Sequence, residues 1–325
     1  MKFKLMSSLT VIILLSCAVM VNAQTESEAI DALKAGAEKS KAKDYLGAIE
    51  SFKKCVEIYE ELEDGDNDNA VTASGQIPNM QYKYAISLYK QKKYDESIAA
   101  FGKLKEYAET YNDPKNAKKA KATVPKLYYA KGVSLLKSKK YEEALASFDK
   151  SIELNPKYPM AYVRKAQVYK EQKDEANFKA AVDMAITTAV AKKDKKSEAT
   201  AKKIASGFYL KAGAVAVKAE KYAVAEKHFN TSMEYKAANS DLYYQLAVIY
   251  NKQSKWDAGI KSAKKALELF KPKGTTKDAK IYYELGTAFH GKGDKASACD
   301  AFSKAKKGDY AEAAEYQMKH VVKCL

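Results

Sequence analysis

The chain has 325 residues, 46% of them hydrophobic, with 57 basic against 41 acidic side chains and a formal net charge of +16. That length holds two ordinary domains or one extended array. Arg164 is the sole arginine, and specific readers of phosphate and bases rely on the bidentate arginine fork. The charge therefore describes a lysine-coated, solvated surface and not a nucleic-acid site, with nonspecific attraction to anionic polymers or lipid headgroups left open.

At the N-terminus, Lys2 and Lys4 precede the uncharged run LTVIILLSCAVMV, and Val21 to Ala23 places small residues ahead of Gln24. A basic head, a short apolar core and a small-residue cleavage site define a secretory signal, here residues 1–23. The run is shorter than the roughly 20 residues that span a bilayer. The stretch LLSC offers an alternative in which Cys17 is acylated as a lipoprotein anchor, opposed by the bulky Leu15. No later segment is apolar enough to cross a membrane. Few glycines, six prolines and abundant Ala, Lys and Glu make the remainder a helical chain.

From residue 29 onward one paragraph recurs. LYYAKGVSLLKSKKYEEALASFDKSIELNP (Leu127 to Pro156), LYYQLAVIYNKQSKWDAGIKSAKKALEL and IYYELGTAFHGKGDKASACDAFSKAK align as a 34-residue unit. Position 4 is aromatic in Tyr128, Tyr162, Tyr209, Tyr243 and Tyr282. Position 8 is small in Gly36, Ala85, Gly132, Ala166, Gly213, Ala247 and Gly286. Position 17 opens a second helix with Tyr45, Tyr94, Tyr141, Tyr222 or Trp256, and position 20 is small again. Position 24 is phenylalanine in Phe52, Phe101, Phe148, Phe229 and Phe302. Apolar residues at i, i+3, i+4 and i+7 give each half a helical stripe, and polar KSKK or KQKK stretches turn the chain between them. Small residues at 8 and 20 let paired helices approach, and the aromatics fill the space between pairs. A single pair cannot bury its own apolar face, so pairs must stack.

This pattern resembles the tetratricopeptide repeat, whose signature is an aromatic, Leu-Gly, Tyr, then Ala, Phe and Pro at set spacing. The resemblance implies an all-α, right-handed superhelical solenoid of helix-turn-helix units. The array occupies residues 24–309, in units at 29–62, 78–111, 125–158, 159–195, 206–239, 240–273 and 279–309, and residues 310–325 form a capping helix. Repeat four departs: its turn EQKDEAN reads about three residues longer, which would put Phe178 and Ala181 at positions 17 and 20. Extra segments follow repeats one, two and four. The lysine-rich ones read as helix extensions by a few turns, and DGDNDN within EDGDNDNAVTASGQI as a flexible acidic loop. Asp64, Asp66 and Asp68 mimic the first calcium ligands of an EF-hand, but Asn69 replaces the obligatory Gly and Gly75 stands where the bidentate Glu belongs.

In proteins of this kind the first helix of each unit lines a concave groove through positions 2, 5, 9, 12 and 13. The resemblance therefore implies a ligand groove carrying Tyr82, Tyr89, Tyr129, Tyr244 and Tyr283 beside Lys90, Lys126, Lys137 and Lys252, with Arg164 as a candidate anchor. Rigid tyrosines beside lysines suit an extended or helical acidic segment. The Lys and Asn clamp that grips the C-terminal carboxylate of cytosolic chaperones needs Asn at position 9, and no unit has one there.

No glycine-rich phosphate loop, HExxH, GxSxG or recognisable Cys-His setting is present, so the expectation is a non-enzyme without cofactor or metal. His228, His290 and His320 are scattered and there is no CxxC pair. The repeat geometry puts Cys55 in the core. It starts the last second helix at Cys299 and places Cys324 near the end of an antiparallel cap, a candidate disulfide. The expected function is an extracytoplasmic scaffold, in a bacterial periplasm or secreted, binding an envelope protein or peptide. Two alternatives stand beside it: a lipid-anchored envelope-assembly component, membrane-associated only if Cys17 is lipidated, and a glycan binder that stacks sugars on the same aromatics.

Overall fold

The computed structural model describes residues 25–271 and 276–324, so the signal reading over 1–23 and Cys17 lie outside the described residues. Helices follow one another throughout: α1 (25–41), α2 (Tyr45–Glu61), α3 (Asp68–Lys90), α4 (Tyr94–Thr110), α5 (Pro114–Lys137), α6 (Tyr141–Leu154), α7 (Pro159–Gln172) and α8 (Glu175–Ala191). Then come α9 (Lys195–Lys218), α10 (Tyr222–Tyr235), α11 (Ser240–Lys252), α12 (Trp256–Phe270), α13 (Thr276–Lys292), α14 (Lys295–Ala305) and α15 (Ala311–Tyr316). No strand occurs among the described residues. The chain divides into two compact units between Val168 and Tyr169.

The pairs α3–α4, α5–α6, α9–α10, α11–α12 and α13–α14 form hairpins, and the turn inside every repeat solves its backbone problem the same way. Position 15 takes a left-handed conformation at Lys43, Lys92, Lys139, Lys173, Glu220, Ser254 and Gly293. The next N–H then returns to the carbonyl five residues earlier, as from Lys93 to Leu88 at 3.0 Å and from Asp294 to Phe289 at 2.9 Å. That Schellman closure satisfies carbonyls the helix end leaves open. Where position 16 is Asp, its carboxylate also caps the second helix: Asp44 accepts from the Gly47 N–H and Asp174 from the Asn177 N–H, each at 3.0 Å.

Repeat four uses this same turn. Lys173 is its left-handed residue and Glu175 its position 17, so the three extra residues expected from EQKDEAN are not there. Phe178 falls at position 20 and is buried. The large residue has moved forward in the helix, and Val182 stands at position 24.

Inside a hairpin the small residue at position 8 exists to seat the phenylalanine at position 24. A Cβ on Gly36 would lie 2.6 Å from the Phe52 ring, one on Gly132 2.6 Å from Phe148, and one on Gly286 2.9 Å from Phe302. These phenylalanines therefore fill their own pair and also meet the next one: Phe229 shares a core with Leu242, Leu246 and Ile249, and Phe101 with Leu127. In repeat six both residues shrink, to Ala247 and Ala263, which share one core. Hydroxyls at position 27 fasten the hairpin base: Ser151 Oγ donates to the Pro125 carbonyl at 2.8 Å and Ser232 Oγ to that of Ser206 at 3.1 Å.

Much of each extra segment becomes helix, in the first from Asp68 onward. They lengthen α3, α5 and α9 at their N-terminal ends, which leaves Pro78 and Pro125 inside helices where each removes one ladder bond. Within the acidic DGDNDN stretch, residues 64–67 form a largely exposed turn and only the last two residues are helical. Asn67 accepts from the Asn69 N–H at 3.0 Å and α3 starts at Asp68. After α2, α4 and α8 the same left-handed closure recurs at Glu63, Asn112 and Lys193, and Asn67, Asp113 or Asp194 then caps the lengthened helix.

The C-terminal segment is irregular. A 3-10 turn (Gly308–Tyr310) leads into α15, which passes into a π-helical turn at Gln317–Val321. Cys324 is disulfide-bonded to Cys299, with Cα atoms 5.6 Å apart. Cys55 is a buried free thiol whose pKa is raised by burial.

Candidate ligand groove

The groove residues expected from the repeat positions fall in both compact units. In the first, Tyr82 sets its edge against Phe101, ring centres 5.9 Å apart, and Lys119 Nζ stands 4.7 Å from the centre of the Tyr82 ring. Tyr129 packs on Phe148 at 6.1 Å and on Tyr158 at 5.1 Å. Arg164 Nε donates to the Tyr129 hydroxyl at 3.2 Å while its NH1 donates to Gln167 Oε1 at 2.7 Å. Arg164 thus holds a groove tyrosine in place. Tyr89 is 42% exposed and touches Tyr94 at a ring distance of 6.1 Å. Lys137 is exposed at the end of α5.

Tyr158 joins this cluster from the link between repeats three and four. Burial pushes its phenol up to about 12, with Tyr129 and Tyr89 adding to the shift and Arg164 opposing it. Sequence reasoning missed it because it lies outside the first-helix positions. The KYP run before Pro159 was the only available signal.

In the second unit Tyr244, Tyr283 and Tyr310 gather. The Tyr244 and Tyr310 hydroxyls are 3.4 Å apart, and Tyr283 lies 5.5 Å from the rings of both Phe302 and Tyr310. Lys280 Nζ sits 4.5 Å above the Tyr244 ring and 3.0 Å from Asp241 Oδ1. Burial raises the phenol pKa values of Tyr244 and Tyr283. A lysine over a tyrosine face gains a cation–π attraction of about 0.5–1 kcal/mol at exposed sites. The lysines that do this, Lys119 and Lys280, are not among those expected to border the tyrosines.

A second polar feature also escaped prediction. Asn251, buried at position 12 of repeat six, donates from Nδ2 to the Glu284 carbonyl at 2.9 Å and to Glu284 Oε2 at 2.8 Å. Burial raises the Glu284 carboxyl pKa, and the Asn251 bond partly offsets it. His290 is exposed. No group of three or more His, Cys, Asp or Glu side chains among the described residues is arranged to hold a metal ion, and no described helix is long and apolar enough to cross a membrane.

Models of the tetratricopeptide repeat family match residues 80–110, 125–158 and 244–314. No curated protein matches the chain. Similar solved structures include YrrB, a TPR protein with an unusual peptide-binding site, at 18% identity over 60% of this chain and 88% of that one, TM-score 0.32. A tetratricopeptide repeat protein from Parabacteroides merdae shares 15% identity over 90% of this chain and 98% of that one, TM-score 0.30. The TPR2AB domain of yeast Sti1, in complex with pHSP90, shares 17% over 92% and 96%, TM-score 0.31. With the matched repeats superposed on hairpins that pair a small residue at position 8 with a large one at position 24, the chain is a tetratricopeptide repeat protein, a scaffold for protein–protein interaction.

Proposed function

We propose that this scaffold works outside the cytoplasm and holds an acidic segment of a partner protein along its first-helix groove. The observation that carries the reading is that the groove tyrosines are fixed before any ligand arrives. Tyr82, Tyr129 and Tyr283 each rest on a buried phenylalanine, and Tyr129 is further held by Arg164. Aromatic surface already immobilised in this way loses little entropy on binding. Lys90, Lys126 and Lys137 are exposed without an ion-pair partner among the described residues, which favours a ligand of opposite charge. The signal-like residues 1–23 and the Cys299–Cys324 disulfide support export, because disulfides persist in oxidising compartments.

In-cell crosslinking capture tests the reading, comparing the wild type with Tyr89→Ala/Lys137→Glu, two exposed positions, once circular dichroism shows the variant folded. The expected result is one captured protein, crosslinked through an acidic segment and lost in the variant. Equal capture by both chains would remove the groove from consideration. Mass spectrometry of the mature chain settles anchorage separately: a start at Gln24 gives the soluble form, and retention of an acylated Cys17 gives the lipid-anchored one.

A further inference from the structure

The extension of α5 does something a bare repeat cannot. Residues 114–124 are not needed for a 34-residue hairpin beginning at Pro125, yet they run on as helix beside α4. Between this added piece, α4 and the end of α6 lies an open cleft of about 580 Å³. Gly102, Ala117, Val124 and Leu154 form its apolar walls, and Lys105, Lys118 and Lys121 stand at its rim. Leu154 is 49% exposed.

Two features bear on what the cleft could hold. Gly102 lies within α4, where glycine costs roughly 1 kcal/mol relative to alanine, and a Cβ there would meet nothing within 4 Å. Packing therefore does not require this glycine, and a larger residue would project into the cleft. Lys118 and Lys121 have no carboxylate partner among the described residues, while Lys105 has only the exposed Glu109 at 3.6 Å. The occupant should bring apolar surface and negative charge together. Ala117, Lys121 and Val124 space the wall over two turns of α5, about 10 Å of rise, which matches the i, i+3, i+4 and i+7 anchors of a helix lying in a groove.

We propose that this cleft is a second docking site, for an amphipathic helix of a partner protein that bears an apolar face flanked by Asp or Glu. Its walls come from a second helix and an extension, so it is separate from the first-helix groove. The probe is a fluorescein-labelled helical peptide with a leucine face and glutamate flanks, titrated by anisotropy into the full exported chain. A glutamine-flanked version serves as control. Saturable binding is expected, weaker at higher salt and at least tenfold weaker for the glutamine peptide. Gly102→Phe, which fills the cleft, and Lys118→Glu/Lys121→Glu, which reverses its rim, each lose at least tenfold, with unchanged circular dichroism. Tyr89→Ala leaves the affinity within twofold, which separates this site from the groove. Equal affinity in the two cleft variants, or no saturable binding to the wild type, overturns the proposal. So does cleft-dependent binding to phosphatidylglycerol vesicles in place of the peptide, which would make the site a membrane contact.

Discussion

Gly132 and Phe148 compete for one volume: the ring of Phe148 occupies the place where a side chain on Gly132 would stand, 2.6 Å from its Cβ. Since the phenylalanine is fully buried, a side chain at 132 needs the ring to shift, as in repeat two where Ala85 stands with Phe101, or to shrink. Gly132→Val should cost about 2 kcal/mol by overpacking. Gly132→Ala/Phe148→Leu should recover part of the loss caused by Gly132→Ala alone, moving toward the Ala247 and Ala263 solution of repeat six. Urea unfolding of these variants and of Phe148→Leu checks this, and additive losses in the double variant would count against a shared volume.

Lysine is an awkward residue for the hairpin turns. Lys139 holds φ at 59°, a region that costs a residue with a Cβ roughly 1–2 kcal/mol and glycine nothing comparable. Lys139→Gly should therefore raise stability by up to about 1 kcal/mol, while Gly293→Lys should lower it. Thermal unfolding followed by circular dichroism measures both signs.

The buried Glu284 carboxyl makes stability depend on pH. Its pKa in the folded chain is raised above the ordinary 4.5, so below that value both states are protonated and no penalty exists. As pH rises through 4.5 toward the raised value the unfolded chain ionises first, and the folded state loses ground. Glu284→Gln should match the wild type at low pH and exceed its stability at neutral pH, with Asn251 still able to donate. A constant difference across that range would mean that the carboxyl is not the source.

The last hairpin is stapled across 25 residues of sequence by Cys299–Cys324. Cys299→Ser/Cys324→Ser should lose about 2–4 kcal/mol of stability, the usual worth of closing such a loop in the unfolded chain. In denaturant without reductant, the chain from Gln24 onward should show a single reactive thiol, Cys55, which the folded state shields. Three reactive thiols would mean that the bond does not form.

Much of the fold was legible because the repeat writes its packing into composition. A small residue at 8 and an aromatic at 24 are visible without coordinates, and they meet as volume demands. Repeat four was misread because Phe178 was assumed to open a helix, whereas the opening is marked by Asp174, whose carboxylate caps at Asn177. The acidic segment hid its helix for a similar reason, since Asn67 and Asp68 look like loop residues but supply a cap and a favourable charge at a helix start. Of the groove, the family resemblance points to Tyr129 and Tyr244 but not to their neighbours Tyr158 and Tyr310, which enter from links outside the repeat grammar. Nor could it pair Asn251 with Glu284, a bond between adjacent repeats that depends on where two helices come to rest.

Tyr310 stands on Tyr283 much as Tyr158 stands on Tyr129, but the two have opposite consequences for how such an array can lengthen. Tyr158 belongs to the link that feeds straight into α7, whereas Tyr310 belongs to a turn tied back through α15 and the Cys324 bond, with Ala314 and Val322 buried against α14. The face on which another hairpin would be seated after repeat seven is already occupied. Duplication of a repeat, by evolution or by design, must therefore enter upstream, for instance at the short link between Tyr235 and Ser240, while the stapled terminus travels unchanged as the last piece.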